Sequence, residues 1–178
     1  MWWIDGITEY KPAGAKQKDP QIAGPRNMVD MRNLVINYHY DPATHGSNSL
    51  KYVLPAIIGS SEKLRTRYGQ AIGLSGIHSI NCSEGWVWVR SKQGNNPYKV
   101  LRPVFEGCEQ DALSKYVRGL DDLDDGGTAT IAYAKLQYCD IPDAEREAIR
   151  SALLCYCELD TLAMVMLYEY WRDALVGG

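Results

Sequence analysis

Residues 142–171 read PDAEREAIRSALLCYCELDTLAMVMLYEYW and form the longest periodic segment of the chain. Side chains that recur there at steps of three and four residues lie on one face of an α-helix. Pro142 in the first turn, followed by Asp143 and Glu145, suits the positive end of a helix. The segment therefore predicts one long helix, with a bend near residues 155–158. Its inward positions are Ile149, Leu153, Tyr156, Asp160, Ala163, Leu167, Tyr170 and Ala174.

Asp160 is the single acid among these inward positions. Burying a carboxylate without a partner is costly, so such a residue usually has a cation, a metal or a hydrogen-bond donor beside it. Tyr156 lies one turn earlier, and its phenol reaches the same patch of the helix. Two interpretations stay open. Either Asp160 caps a second helical segment and Tyr156 belongs to the core, or Asp160 binds a metal while Tyr156 orients an attacking water.

Composition limits the classes of protein that fit. The chain has 178 residues and a formal net charge of −3, which suits one domain and argues against a broad polyanion-binding surface. A nuclease that relies on metal ions is still compatible with this charge. The five cysteines show no zinc-ligand spacing, so we expect a reducing, cytoplasmic location and packing roles for Cys155 and Cys157. No run of eighteen apolar residues is present, so we expect no membrane span.

The rest of the chain predicts further helices and one β excursion. Asp30 is a candidate N-cap for a helix over residues 31–38. A second helix runs from Leu50 towards Ile58, with Pro55 ending or kinking it, and further helices cover residues 60–68 and 130–138. Alternation in Trp86-Val87-Trp88-Val89, and the segment Tyr98–Leu101, predict a small β excursion between residues 75 and 104.

A nucleic-acid contact surface is a separate hypothesis. Lys51, with basic residues between positions 65 and 102, could follow a phosphate backbone while Trp86 and Trp88 stack on bases. The alternative interpretation is ordinary scattered surface charge.

Several segments together resemble a known family. The chain resembles the C-terminal part of a bacterial family, the domain-of-unknown-function family 2779, over residues 2–173. That family in turn resembles DnaQ-like, RNase H-fold 3′–5′ exonucleases. The segments that carry the resemblance are RNMVDMRNLV at 26–35, YHYDP at 38–42, GSNSLKYVLPA at 46–56, PY at 97–98, DGG at 125–127 and LLCYCELDTLAM at 153–164.

The resemblance implies a role for each residue of the Tyr-x-x-x-Asp pair. Exonucleases of this kind hold two divalent metals, Mg²⁺ or Mn²⁺, with four carboxylates, and one subclass carries Tyr-x-x-x-Asp on its C-terminal helix. By this resemblance Asp160 is the last metal ligand and Tyr156 orients the water, while Asp30 is a structural acid. No Asp-x-Glu pair of the kind found on the family's first strand is present before Asp30. Asp160 alone cannot hold two metals, so the front half is lost, lies on another polypeptide, or the activity is absent from this chain.

The sequence thus predicts a mainly helical α+β fold over residues 1–178, forming one domain that is the C-terminal half of an RNase H-like domain. The expected function is part of a metal-dependent 3′–5′ exonuclease with little activity alone, whose partners are nucleic acid and the missing half or another chain. The alternative is a non-catalytic interaction module that forms homo-oligomers, with Trp2 and Trp3 as an assembly surface. A third interpretation is metal-independent RNA binding through Trp86 and Trp88.

Overall fold

The computed structural model describes residues 9–10, 14, 16–18, 22–23, 28–74, 76–102 and 125–176. Trp2 and Trp3 lie outside these residues. Contacts divide the chain into two compact units, Met1–Tyr40 and Asp41–Gly178. The expectation of a single domain stays a prediction.

The described residues of the first unit form a short antiparallel ribbon and one helix. Strands β1 (Glu9–Tyr10) and β2 (Ile22–Ala23) pair with Glu9 opposite Ala23. Helix α1 (Met31–Tyr38) begins where predicted, because the Asp30 carboxylate accepts a hydrogen bond of 2.9 Å from the backbone N–H of Arg32.

The described residues of the second unit are mainly helical, which confirms the predicted mainly helical class. Helix α3 begins after Ser61, whose hydroxyl accepts a hydrogen bond of 3.2 Å from the backbone N–H of Leu64. The α-helices are α2 (Leu50–Ser60), α3 (Glu62–Tyr68), α4 (Asp125–Tyr138) and α5 (Asp143–Val176), and the 3-10 helices are Pro42–Thr44, Ser91–Gln93 and Pro97–Val100.

Helix α2 continues through Pro55, so the proline does not end the helix, and the predicted alternative of a kink stays a prediction. Pro55 lacks the N–H that would bond to the carbonyl four residues earlier, and this loss usually breaks a helix. Burial on both sides of the proline offsets the loss. The buried side chains of α2 are Val53, Leu54, Ala56, Ile57 and Ile58.

Helix α5 organises the second unit, as the periodicity predicts. It is one continuous helix of 34 residues, about 51 Å long at about 1.5 Å per residue, so the anticipated bend does not interrupt it. It packs against α2, α4 and the 3-10 helix Pro97–Val100. Of the predicted inward positions, Ile149, Ala163 and Leu167 are buried and Asp160 is half-buried, whereas Ala174 is exposed. The periodicity missed three further buried residues, Leu159, Met166 and Glu169.

The predicted β excursion is absent from the described residues 76–102, which contain turns and 3-10 helices. The Trp86–Val89 segment makes single backbone bonds instead of a ladder. Ile72 N–H donates to the Trp86 carbonyl at 2.8 Å, and Val89 N–H donates to the Tyr68 carbonyl at 3.0 Å. The adjacent residues Trp88 and Val89 are both buried, at 1% and 5% exposure, so the alternation of residue types does not correspond to one buried and one exposed face of a strand.

Glu169 is a buried carboxylate on α5 that joins this helix to α3. It accepts hydrogen bonds from the Arg67 guanidinium at 2.7 Å and from the Tyr68 hydroxyl at 2.9 Å. Burial first, and then the hydrogen bond to Glu169, raise the pKa of Tyr68 well above its usual range. The hydroxyl therefore stays protonated and serves as a permanent donor to the carboxylate.

Helix α5 is also long and apolar enough to cross a membrane, judged by length and composition alone. Its most apolar window has a mean hydropathy of 1.4, and 22% of that window is buried. Core helices of soluble proteins can meet the same criterion, so this is weak evidence for membrane insertion. The expectation of no membrane span stays a prediction.

Replacing Glu169 tests the link between α3 and α5. Glu169→Ala should lower the free energy of unfolding by about 2–3 kcal/mol, because it leaves the buried Tyr68 hydroxyl without its acceptor. Urea denaturation followed by circular dichroism measures the loss. Glu147→Ala is the control, because the Glu147–Arg150 pair spans 3.7 Å between side chains that are 71% and 66% exposed; its effect should stay below about 0.5 kcal/mol. Equal losses in both variants would contradict the assignment.

Candidate active site

Asp160 lies in the middle of α5 and is half-buried. Its Oδ1 accepts a hydrogen bond of 2.8 Å from the hydroxyl of Tyr98. Tyr98 belongs to the 3-10 helix Pro97–Val100. Asn96 is the N-cap of this helix, and its side chain accepts a hydrogen bond of 3.0 Å from the backbone N–H of Tyr98. The local capping of this short helix thus positions the phenol that reaches α5.

Tyr156 and Lys51 complete the cluster around Asp160. The ring of Tyr156 lies 6.1 Å from the ring of Tyr98 between centroids. The ammonium nitrogen of Lys51, on α2, lies 5.9 Å from the centroid of the Tyr156 ring, a cation–π distance. Three elements thus bring together one carboxylate, two phenols and one ammonium group, and we name Lys51, Tyr98, Tyr156 and Asp160 the tyrosine–aspartate cluster.

The predicted pair Tyr156 and Asp160 therefore lies in one cluster, but the phenol that donates to Asp160 is Tyr98. Spacing along a helix cannot reveal this donor, because Tyr98 lies 62 residues away in the chain. The dipeptide Pro97-Tyr98 is one of the segments that carry the family resemblance, and this was the sign in the sequence that Tyr98 could belong to the site. Lys51, predicted as a phosphate contact, lies inside the cluster over the ring of Tyr156.

The ligand set of the cluster falls short of a divalent-metal site. Mg²⁺ and Mn²⁺ favour about six oxygen ligands, with carboxylates prominent among them. Within the described part of the chain, no group of three or more His, Cys, Asp and Glu residues could hold a metal ion. The described residues thus offer one carboxylate, Asp160, flanked by phenols, and do not by themselves fit a two-metal centre.

The two tryptophans predicted to stack on bases differ in exposure. Trp88 is 1% exposed, and its ring meets the edge of Trp86 at 5.9 Å between centroids. A buried ring leaves no face for a base, so the stacking prediction is wrong for Trp88. Trp86 is half-buried, and the guanidinium carbon of Arg90 lies over its ring, 5.3 Å from the ring centroid.

A loop over residues 79–82 contacts α5 beside the tyrosine–aspartate cluster. The Asn81 side chain donates to Glu158 at 2.6 Å, and its backbone N–H donates to the same oxygen at 3.1 Å. The next residue, Cys82, places its Sγ 3.2 Å from the Sγ of Cys155. Burial first, and then the hydrogen bond to Cys155, raise the pKa of Cys82 to about 12. The thiol of Cys82 is therefore protonated at neutral pH.

This loop and α5 form two walls of a cavity of about 630 Å³. Most of the side chains that α5 supplies to it are small, and Cys82 and Cys155 lie where the loop meets α5. Trp86 and Arg102 line the remaining side. The residues contributed by α5 are Ala144, Glu147, Ala148, Ser151, Ala152 and Cys155.

No family model matches the chain, and no curated protein or solved structure is detectably similar to it. The resemblance to the domain-of-unknown-function family 2779 thus stays a prediction.

The Tyr98–Asp160 contact can be tested by a double-mutant cycle. Tyr98→Phe should lower the free energy of unfolding by about 1 kcal/mol, because it removes a hydrogen bond to a charged acceptor at a half-buried position. In the Asp160→Ala background the same change should have almost no effect. Tyr138→Phe is the control: this residue is 88% exposed, and its change should stay within about 0.5 kcal/mol. Additive effects of Tyr98→Phe and Asp160→Ala in urea denaturation would refute the contact.

Proposed function

We propose that the chain is part of a metal-dependent 3′–5′ exonuclease-like domain of RNase H-like fold that acts on nucleic acid in the cytoplasm. Asp160 supplies one of the carboxylates that such a domain needs for Mg²⁺ or Mn²⁺, and Tyr156 is the phenol beside it. The observation that carries the proposal is the half-buried position of the Asp160 carboxylate within the tyrosine–aspartate cluster.

The hydrogen bonding of Asp160 supports this role. An ionised carboxylate offers about four lone-pair positions, and the Tyr98 hydroxyl fills one of them. Among the described residues, no salt bridge within 4.0 Å joins Asp160 to a Lys, Arg or His side chain. Glu169 on the same helix, by contrast, is neutralised by Arg67 at 2.7 Å. Asp160 thus has lone pairs left with which to accept a cation.

The remaining ligands of a catalytic centre come from elsewhere in this proposal. The missing N-terminal half of the domain, or a second polypeptide, supplies the carboxylates that Asp160 lacks as neighbours. We therefore expect this chain alone to cleave nucleic acid weakly or not at all.

A metal titration with a labelled single-stranded oligonucleotide tests the proposal. Mn²⁺ should increase the affinity of the chain for the oligonucleotide several-fold, as measured by fluorescence anisotropy, and Asp160→Asn should abolish that increase. The amide can still accept the Tyr98 hydrogen bond but carries no charge for the cation. Asp140→Asn is the matched control, because Asp140 is exposed and precedes α5.

Two results would contradict this assignment. One is an oligonucleotide affinity that Mn²⁺ does not change in the wild type. The other is metal-dependent cleavage that persists in Asp160→Asn, since the reaction would then use a different site.

A second candidate function is a non-catalytic self-association module, favoured by apolar side chains on the outward side of α5. Leu154 is 43% exposed, Val165 44% and Tyr168 57%. These residues follow helical spacing, so they form one line, which we name the outer stripe. Apolar area of this kind on an α-helix commonly marks an interaction surface.

Charge at the two ends of the outer stripe favours a second copy of the same chain. Exposed Glu147 lies seven residues before Leu154, and exposed Arg172 lies seven residues after Val165. An antiparallel pair of α5 helices that places Leu154 opposite Val165 therefore also places Glu147 opposite Arg172. This arrangement has the two-fold symmetry of a homodimer.

A lysine on the outer stripe should disrupt such a dimer. We expect the wild-type chain to sediment as a dimer at micromolar concentration and Val165→Lys to sediment as a monomer, because burying the added ammonium group is costly. Gln137→Lys adds the same charge at an exposed position of α4 and should leave the dimer intact. A wild-type chain that sediments as a monomer would contradict the self-association function.

A further inference from the structure

Two thiols from distant parts of the chain meet next to the tyrosine–aspartate cluster. The Sγ atoms of Cys82 and Cys155 lie 3.2 Å apart, with 73 residues of sequence separation. The Cys155 thiol in turn donates to the backbone carbonyl of Asn81 at 3.2 Å. Both cysteines are half-buried and in the thiol form. We propose that Cys82 and Cys155 are a redox-active dithiol that closes to a disulfide by exchange with a low-molecular-weight disulfide.

The backbone around the pair is already held in place. The Ser79 hydroxyl accepts a hydrogen bond of 2.8 Å from the N–H of Cys82, and Asn81 is bound to Glu158 through two donors. A disulfide requires its sulfur atoms at about 2.05 Å, so the thiols need to approach by only about 1 Å. Side-chain rotation can supply that movement while the loop and α5 keep their contacts.

A small oxidant has access to the pair. Both cysteines line the cavity of about 630 Å³, which is large enough for a small peptide disulfide. Arg102 on the cavity wall favours an oxidant that carries carboxylates, as oxidised glutathione does. Glu147 lines the same cavity and Glu158 lies behind the loop, so the charges that face the pair include both signs.

The exchange balances as two successive substitutions at sulfur. One cysteine thiolate attacks a sulfur of the small disulfide, forms a mixed disulfide and releases one small thiol. The second cysteine thiolate attacks the protein sulfur of that mixed disulfide and releases the other small thiol. The protein thus loses two electrons and two protons, and the small disulfide is reduced to two thiols. Because burial favours the protonated form of Cys82, the step in which Cys82 attacks is slow at neutral pH and faster in alkaline buffer.

The disulfide would bind the loop over residues 79–82 to the turn of α5 that carries Tyr156. A bond across 73 residues of sequence restricts the unfolded chain strongly, so oxidation should raise the melting temperature by about 5–10 °C. The proposal does not depend on nuclease activity, since it concerns only the thiols and the loop.

The chain contains its own control for this test. Cys157 lies two residues after Cys155, on the opposite side of α5, and is exposed. The wild type, Cys155→Ser and Cys157→Ser should be equilibrated natively with reduced and oxidised glutathione at pH 8, quenched with acid, alkylated, digested and analysed by mass spectrometry. We expect a linked Cys82–Cys155 peptide in the wild type and in Cys157→Ser, together with the rise in melting temperature. Cys155→Ser should lose both.

Three outcomes would overturn the proposal. They are full alkylation of Cys82 and Cys155 after treatment with oxidised glutathione, a link that uses Cys157 instead, and a Cys82–Cys155 link that forms only in urea. Should circular dichroism show that Cys155→Ser is unfolded, Cys82→Ser takes its place with the same expectations.

Discussion

The second unit depends on one constraint: α5 can pack against its neighbours only if its buried and half-buried acids find hydrogen-bond donors. Each donor comes from a different neighbouring element. Lys135 of α4 pairs with Glu145, Asn81 of the loop with Glu158, Tyr98 of the 3-10 helix with Asp160, and Arg67 and Tyr68 of α3 with Glu169. Since an acid left without a donor would be costly, these contacts fix the position of α5 against these four elements, where apolar packing alone would tolerate sliding.

The acids of α5 differ in whether a cationic side chain lies beside the carboxylate. This difference distinguishes the acid with a structural role from the acid to which we assign a function. Glu169 has a cation and a hydroxyl, so its charge is used entirely within the fold. Asp160 has a neutral phenol as its donor, although it lies at half-buried depth where charge interactions are strong. A carboxylate that is held in place by a phenol but has no cationic side chain in a salt bridge is suited to receive a cation from outside the cluster. For this reason Asp160 carries the proposed function and Glu169 does not.

Helix α5 also presents features that its own packing does not use. The outer stripe leaves apolar side chains in contact with solvent, and the cavity beside the first turns of α5 holds two thiols within reach of each other. Both features lie on the same helix as Asp160. A partner on the outer stripe or a bond between the thiols would therefore act on the element that positions the tyrosine–aspartate cluster.

The sequence by itself determined the features that depend on near neighbours. The cap at Asp30, the start of α5 after Pro142 and the helical line that joins Tyr156 to Asp160 follow from local hydrogen bonding and a period of about 3.6 residues. The alternation around Trp88 misled, because Trp88 and Val89 are both buried by tertiary packing and make single backbone hydrogen bonds instead of a strand ladder. Only the tertiary structure decided that Tyr98 donates to Asp160, that Glu169 is buried beside Arg67 and that Cys82 meets Cys155. These contacts join residues 62, 102 and 73 positions apart, and no local rule of spacing relates side chains that only the packing of separate elements brings together.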